Sequence, residues 1–317
     1  MNLAKNLTKN LTKNINSSEQ SSQIPGGSTR WKQTLTPYLL ILPSMLVFIL
    51  FFILPLIFMG ILSFSSWNLI SPEIPWVGFD NYKSILQDPF FHDTLKNTFL
   101  YTMVYVVAIV CISIPLGVWL NKNTVIHRIA QAAVFSPHII SLVSVAMIWM
   151  FMMDPVNGVL NFLISLFGAD AVGWLTDPKI ALYSLIIVTV WKGVGYYTVI
   201  VVAALASIPK DLYEAAELDN ANWWRTFSKI TVPAIAPTIY FIVIINIINA
   251  IQTFETINIM TQGGPVNSTT TIVYYIYEEG FINFDIGSAS AAGMILLVIL
   301  MILTYFYFRL LGRKVQY

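Results

Sequence analysis

Charge is what this sequence has least of. Its 317 residues hold 17 lysines and arginines and 16 aspartates and glutamates, 10% of the chain, against about 25% in a soluble domain. With 56% hydrophobic residues and a mean hydropathy of +0.71, that scarcity excludes a compact soluble domain and a disordered chain alike. Cysteine is nearly absent. The single Cys111 cannot form an intrachain bridge, which excludes a disulfide scaffold, and Val110 and Ile112 beside it mark it as a small apolar residue in a hydrophobic run. The three histidines, His92, His127 and His138, are scattered without metal-ligand spacing. No Gly-x-x-x-x-Gly-Lys phosphate cradle occurs, so the chain does not hold ATP in that manner, and no nucleophile elbow is present. Neither catalytic nor metal-binding residues are expected, and no nucleic-acid partner.

What is present begins with a basic segment at 1–33. Asn6-Leu7-Thr8-Lys9 recurs as Asn10-Leu11-Thr12-Lys13, and a Ser/Gln/Gly stretch follows. The segment lacks the apolar core and small-residue cleavage site of a secretory signal. Leu3, Leu7, Leu11 and Ile15 recur every four residues, so it reads either as an amphipathic helix on an anionic lipid surface or as a disordered basic tail. The remainder, 34–317, reads as one membrane domain. Six apolar runs are long enough to span a bilayer, which takes about 20 residues: Tyr38–Leu62, Thr98–Leu120, Val134–Met153, Ile180–Ala204, Thr238–Met260 and Ile286–Phe308. They carry no strand alternation, and prolines such as Pro43, Pro55, Pro115 and Pro137 are tolerated in membrane helices. The expected fold is all-α, a polytopic bundle of six transmembrane helices.

The basic residues orient it. With the amino terminus inside, 13 of the 17 lysines and arginines fall on inner segments and three (Lys83, Lys96 and Lys179) on outer ones, while Lys192 lies within a span. By the positive-inside rule both termini are cytoplasmic. One inner loop, 206–237, is too patterned for a connector. Pro209 opens a helix with Asp211 and Glu214 near its start, where acids favour a helix N-terminus. Asp219-Asn220 stops that helix, since asparagine tolerates the left-handed conformation. A second amphipathic helix through Trp223, Trp224, Phe227 and Ile230 is expected to end at Pro233. Residue pattern alone leaves open an interfacial helix pair anchored by its tryptophans.

Polar residues inside spans are costly when they face lipid. In the fifth run Asn246, Asn249, Thr253 and Thr256 step by three, four and three, which puts them on one face of a continuous helix over about 15 Å of rise. Gln252, Glu255 and Asn258 flank that stripe, and Trp191, Lys192, Gly193, Tyr196 and Tyr197 form a second cluster in the fourth run. Amides bond hydroxyls and aromatic rings cover apolar C–H faces, so the set suits a sugar. The same residues could instead hold the bundle together by interhelical hydrogen bonds. Lys192 and Glu255 are the two intramembrane charges, and they either pair with each other or are solvated separately.

Tyr213-Glu214-Ala215-Ala216, then Asp219, then Lys229-Ile230-Thr231-Val232-Pro233 resemble the EAA loop of permease subunits in bacterial ATP-binding-cassette importers. More narrowly the chain resembles the sugar-importer permeases of the maltose and glycerol-3-phosphate type. The resemblance runs from Pro37 onward. It includes Val77-Gly78-Phe79-Asp80-Asn81-Tyr82, Gly158-Val159-Leu160-Asn161, Gly263-Gly264-Pro265, Thr269-Thr270-Thr271, and Gly287 with Ala289 and Ala291. One position departs: the family has glycine after the loop aspartate, and this chain has Asn220, the next-best residue at positive φ.

The resemblance implies a two-helix cytoplasmic coupling loop, with Tyr213, Glu214, Ala215, Ala216, Asp219, Asn220 and Ala221 at the contact with an ATPase subunit. Glu214 would pair with that partner or else only support its own helix. The same likeness points to Gly193, Tyr196, Asn246, Asn249, Ala250 and Thr253 as positions near substrate. It further implies a second homologous permease subunit, two copies of an ATPase that uses ATP and Mg, an extracytoplasmic substrate-binding protein, and a place in the bacterial cytoplasmic membrane with lipid around the bundle. The chain itself would bind no cofactor. The implied cargo is a sugar or oligosaccharide, with glycerol-3-phosphate or its diesters as the alternative. A secondary transporter is the remote one, since inverted halves are not evident.

Overall fold

The computed structural model describes the main chain of residues 27–311 and the side chains of residues 37–309. The basic repeats expected to form a tail lie outside the described residues. The chain divides into two compact units, the first ending at Phe58 and the second beginning at Met59.

In the first unit α1 (Gly27–Phe48) passes through a π-helical turn, Ile49–Ile53, into α2 (Leu54–Leu62), whose last residues from Met59 onward fall in the second unit. The π turn ends just before Pro55, whose missing N–H removes one i→i−4 bond and loosens the ladder there. Apolar side chains from Tyr38 to Phe58 are mostly exposed, as suits a helix in hydrocarbon rather than in water.

The second unit continues through α3 (Asp80–Gln87), α4 (Pro89–Leu120), α5 (Val125–Ile139), α6 (Leu142–Met152), α7 (Val159–Ser165) and α8 (Ala181–Ala206). Then come α9 (Lys210–Leu218), α10 (Trp223–Thr226), a π turn at Phe227–Thr231, α11 (Val232–Ala234), α12 (Ala236–Ile251), α13 (Glu255–Met260), α14 (Ile272–Tyr277), a π turn at Glu278–Ile282, and α15 (Ile286–Leu311). Among the described residues the only extended pairing is the isolated bridge between Ser65 and Trp76. Starts of helices follow from local chemistry. Asp88 accepts from the Phe90 amide at 2.9 Å ahead of Pro89 at the first position of α4, a favoured N-terminus.

Four helices are long and apolar enough to cross a membrane, Pro37–Leu62, Pro89–Leu120, Ala181–Ala206 and Ile286–Arg309, and two bent pairs bring the count to as many as six. The core lies where α4 packs on α8 and α12, α5 on α8, and α13 on α6. Tyr101, Ile109, Leu185, Val188 and Ile257 are fully buried there. Because lipid is as apolar as leucine, close packing rather than exclusion of water holds such helices together. Gly195 on α8 makes this concrete: a Cβ there would run into the Val134 carbonyl of α5.

Two of the six apolar runs are broken helices. The third run was expected unbroken over Val134–Met153. It starts at Val125 and is bent by 96° between α5 and α6, with Ile140 extended at ψ 141°. The fifth was expected unbroken over Thr238–Met260, yet α12 ends at Ile251 and α13 begins at Glu255. Asn246, Asn249, Thr253 and Thr256 therefore do not share one face of one helix. Non-helical backbone at membrane depth survives when other groups satisfy it or when it lines a cavity, and both happen here. Lys192 takes the carbonyls at the first break, and the Thr271 hydroxyl donates to the Thr253 carbonyl at 3.2 Å in the second. Pro233 does not end the loop helix either. It sits inside α11, and the chain turns by 66° after Ala234 into α12.

Several motif residues act as staples between segments. Asn81 donates to the carbonyls of Ser63 and Ser65 at 2.9 and 3.0 Å. Asn161 donates to the carbonyls of Pro155 and Val172 and accepts from the Val172 amide and the Trp174 indole. Thr269 and Thr270, both fully buried, return their hydroxyls to the carbonyls of Gly264 and Gly263. These bonds fix the loops, since irregular backbone must find partners when buried.

Candidate functional site

Two regions gather the residues singled out by sequence. The first is the 206–237 loop. Pro209 caps α9, and Asp211 falls in its first turn. Glu214 is the fifth residue of the helix, past that turn, so the helix-dipole role assigned to it above passes to Asp211. The far end closes as expected. Asn220 takes φ +49°, its amide bonds the Glu217 carbonyl at 3.0 Å, and the Ala221 amide bonds the Ala216 carbonyl at 2.9 Å. That is a full Schellman closure with asparagine in the glycine position.

Ala216 is buried, whereas Glu214, Ala215, Glu217, Asp219 and Asn220 are exposed and Tyr213 and Ala221 are half-buried. The Tyr213 hydroxyl meets the Thr231 hydroxyl at 3.2 Å, and Asn222 caps α10 by accepting from the Arg225 amide at 2.8 Å. One tie holds the two halves of the loop together and the other fixes the corner between them. Trp223 stacks on Phe227 with centroids 5.3 Å apart, while Trp223 and Trp224 remain about two-thirds exposed. Large exposed aromatics beside exposed carboxylates make a surface suited to a partner or a headgroup layer.

The second region is a cavity of about 490 Å³ at the break between α12 and α13, lined by Leu142, Asn249, Gln252, Thr253, Phe254 and Glu255. Of the six positions expected near substrate, Asn249 and Thr253 line it. The Asn249 amide donates to the Tyr197 hydroxyl and the Thr253 hydroxyl to that of Tyr101, both at 3.5 Å. The Tyr101 hydroxyl donates in turn to Thr189 at 2.8 Å. Asn246 is fully buried, its amide donating to the Ile242 carbonyl at 2.7 Å, and Ala250, one helical turn further on, is buried too. Gly193 is buried within 3.1 Å, by its missing Cβ, of the Tyr105 hydroxyl. Tyr196 stacks on His138 with centroids 4.6 Å apart. Asn246, Ala250 and Gly193 therefore pack the interior, and Gln252 and Glu255, placed only on a flank by helical spacing, come forward to the cavity. Leu142 and Phe254 carried no signal in the sequence: each is an apolar side chain next to a chain break, and the break brings it to the cavity.

Lys192 does not reach for a carboxylate with its hydrogen bonds. Its ammonium donates to the carbonyls of Ile140 at 2.6 Å, His138 at 2.9 Å and Pro137 at 3.4 Å. A cation at a helix C-terminus meets the unsatisfied carbonyls and the negative end of the dipole together.

Comparison with known proteins gives a consistent answer. Residues 90–317 match the family model described as binding-protein-dependent transport system inner membrane component. The chain is 31% identical over 303 residues to the sn-glycerol-3-phosphate transport system permease protein of Shigella flexneri, covering 94% of this chain and 99% of that one. Among solved structures it is similar, at TM-score 0.80 and 28% identity over 91% of its length and 99% of the other chain, to a chain of a bacterial ABC transporter involved in import of the acidic polysaccharide alginate. A second structure of a bacterial alginate transporter, in complex with an alginate pentasaccharide-bound periplasmic protein, matches at TM-score 0.80 and 27% identity, covering 91% of this chain and 98% of that one.

Proposed function

The chain belongs to the family of binding-protein-dependent transport system inner membrane components, and from that premise we propose that it forms half of the translocation path of an importer for a sugar or oligosaccharide. It is a multi-pass inner-membrane permease. In this reading the two bent pairs each count as one span, making six, with both termini and the 206–237 loop in the cytoplasm, as the distribution of basic residues favours. A second homologous permease completes the path, two copies of a separate ATPase supply ATP hydrolysis with Mg, and an extracytoplasmic binding protein delivers the cargo. This chain contributes no catalytic group. Tyr213, Glu214, Ala215, Ala216, Asp219, Asn220 and Ala221 form its contact with the ATPase, and closure of the ATPase pair moves the spans between inward-facing and outward-facing states.

The observation that carries the reading is the cavity at the break of the fifth span, where two amides and a hydroxyl (Asn249, Gln252 and Thr253) stand beside the ring of Phe254. Amide donors and acceptors match sugar hydroxyls, and a ring face covers C–H groups. The similarity to a glycerol-3-phosphate permease supports a second reading with that phosphate as cargo. Uptake of a labelled panel by the reconstituted four-part assembly tests both. Accumulation that needs ATP and the binding protein is expected, and ATP-independent accumulation would sink the importer reading in favour of a secondary transporter.

A further inference from the structure

The two charges near the cavity differ in what they can offer to a solute. An ammonium has three N–H donors, and the three donors of Lys192 have three carbonyl acceptors at the α5–α6 break, those of Ile140, His138 and Pro137. Pro137 and His138 lie in the last turn of α5 and Ile140 follows it, so these are end-of-helix carbonyls with no amide of the next turn to accept from. Lys192 is thus committed to the protein. Glu255 is the reverse case: it is exposed, its side chain has no hydrogen-bond partner among the described residues, and it is one of the residues that line the 490 Å³ cavity. It also lies within electrostatic reach of Lys192, so the ammonium offsets part of its field without supplying a hydrogen-bond donor to the cavity.

From this arrangement we infer that the cavity selects an uncharged, hydroxyl-rich solute, that Glu255 is the residue that turns anions away, and that Lys192 is a structural cap with no part in binding phosphate or carboxylate. The inference rests on the importer reading and narrows its cargo to neutral sugars. A phosphate or a uronate stripped of water needs charge-assisted donors. The cavity lining supplies amides, a hydroxyl, two apolar side chains and one carboxylate, and no basic group. A neutral sugar needs only the amides, the hydroxyl and the ring. Glu255 can accept from its hydroxyls as well, which charges the contact without repelling the ligand. The narrowing sets this chain apart from the relatives whose names carry an anionic cargo, and it does so through two side chains rather than through the fold.

The experiment has two arms, both on the full chain in its assembly. In the first, cells or proteoliposomes carrying the assembly are offered a labelled neutral trisaccharide, sn-glycerol-3-phosphate and an oligo-uronate. Uptake of the neutral sugar alone is expected. In the second, Gln252→Cys in a Cys111→Ser background is labelled with a cationic trimethylammonium-ethyl and an anionic sulfonato-ethyl methanethiosulfonate, and the ratio of rates is corrected by that for free cysteine. A cation preference of about tenfold is expected from a cavity focusing one negative charge, falling toward unity in Glu255→Gln. Asn249→Cys gives the same readout if the first cysteine variant fails to insert, and Glu255→Ala replaces Glu255→Gln likewise. Uptake of an anion, or a rate ratio that Glu255→Gln leaves unmoved, overturns the inference while the importer reading stands. Uptake of no member of the panel, with the rate ratio behaving as stated, overturns the sugar-importer reading instead.

Discussion

Lys192 on α8 donates at 2.6 Å to the carbonyl of Ile140, 52 residues earlier, in the bend between α5 and α6. One side chain so closes the end of a helix to which it does not belong. The bend of 96° opens backbone on either side of Ser141 and brings Leu142 to the cavity edge. A charge within an apolar helix is normally a cost of about 2.5–3.5 kcal/mol; here the half-buried ammonium is matched to a cluster of carbonyls at a helix end.

Lys192→Met removes that donor set while keeping the length of the side chain. Hydrogen bonds to charged groups contribute about 1.5–3 kcal/mol, so the detergent-solubilised protein should melt lower and insert with lower yield. Lys192→Arg should recover part of the loss. Thermal unfolding followed by tryptophan fluorescence checks this, and an unchanged midpoint for Lys192→Met would remove the cap from the account.

Gly195 tests helix packing in the same neighbourhood. A Cβ there collides with the Val134 carbonyl, and backbone yields less readily than a side chain. Overpacking costs about 1–3 kcal/mol, so Gly195→Ala should destabilise and Gly195→Val should do so more. Gly60→Ala is the control, since a Cβ there meets only the Met294 thioether near 3.9 Å. Equal melting of all three variants would show that α5 and α8 do not approach as described.

These residues also mark how far the sequence could be read. The long apolar runs were legible because length and hydropathy alone require a span. Asn220 was legible because a helix stop needs a residue that accepts positive φ, and the adjacent Asp219-Asn220 pair is local. The breaks at Ile140-Ser141 and at Gln252–Phe254 were not, because neither contains glycine or proline. Their freed groups are met from far away, by Lys192 and Thr271. A polar stripe at helical spacing was consequently counted as one face, when the chain break buries Asn246 and Thr256 and turns Gln252 and Glu255 toward the cavity. The residues that line the candidate cavity lie where local pattern gives way to long-range satisfaction.

The segment before α15 gives a pH dependence. Burial pushes the carboxyls of Glu278 and Glu279 above the usual carboxylate range, and for Glu279 the Asn283 amide, donating at 3.3 Å, pulls partly back. A carboxyl raised in the folded state is most favourable to folding when neutral. Its contribution is therefore complete below the ordinary glutamate value and is lost as pH rises through the raised folded value. Melting temperature should fall across that interval, and Glu279→Gln should flatten the fall. A profile that rises with pH and is unaltered by Glu279→Gln would refute the assignment.

Glu214 separates coupling from helix support. It lies beyond the first turn of α9 and is exposed, and dipole effects fade within the first turn. Removing it should leave the chain's own stability within about 0.5 kcal/mol, as for a surface site. If its carboxylate pairs with a basic group of the ATPase in a desolvated contact, Glu214→Ala should weaken the complex by about 2–5 kcal/mol. Co-purification of the ATPase and substrate-stimulated ATP hydrolysis should then fall together while melting of the isolated permease stays put. Asp211→Ala should do the opposite, lowering stability by about 0.3–1 kcal/mol through the helix N-terminus with little effect on the complex. Should Glu214→Ala melt early and still carry the ATPase at wild-type yield, the acid serves its own helix and the contact must be sought among Asp219, Trp223 and Trp224.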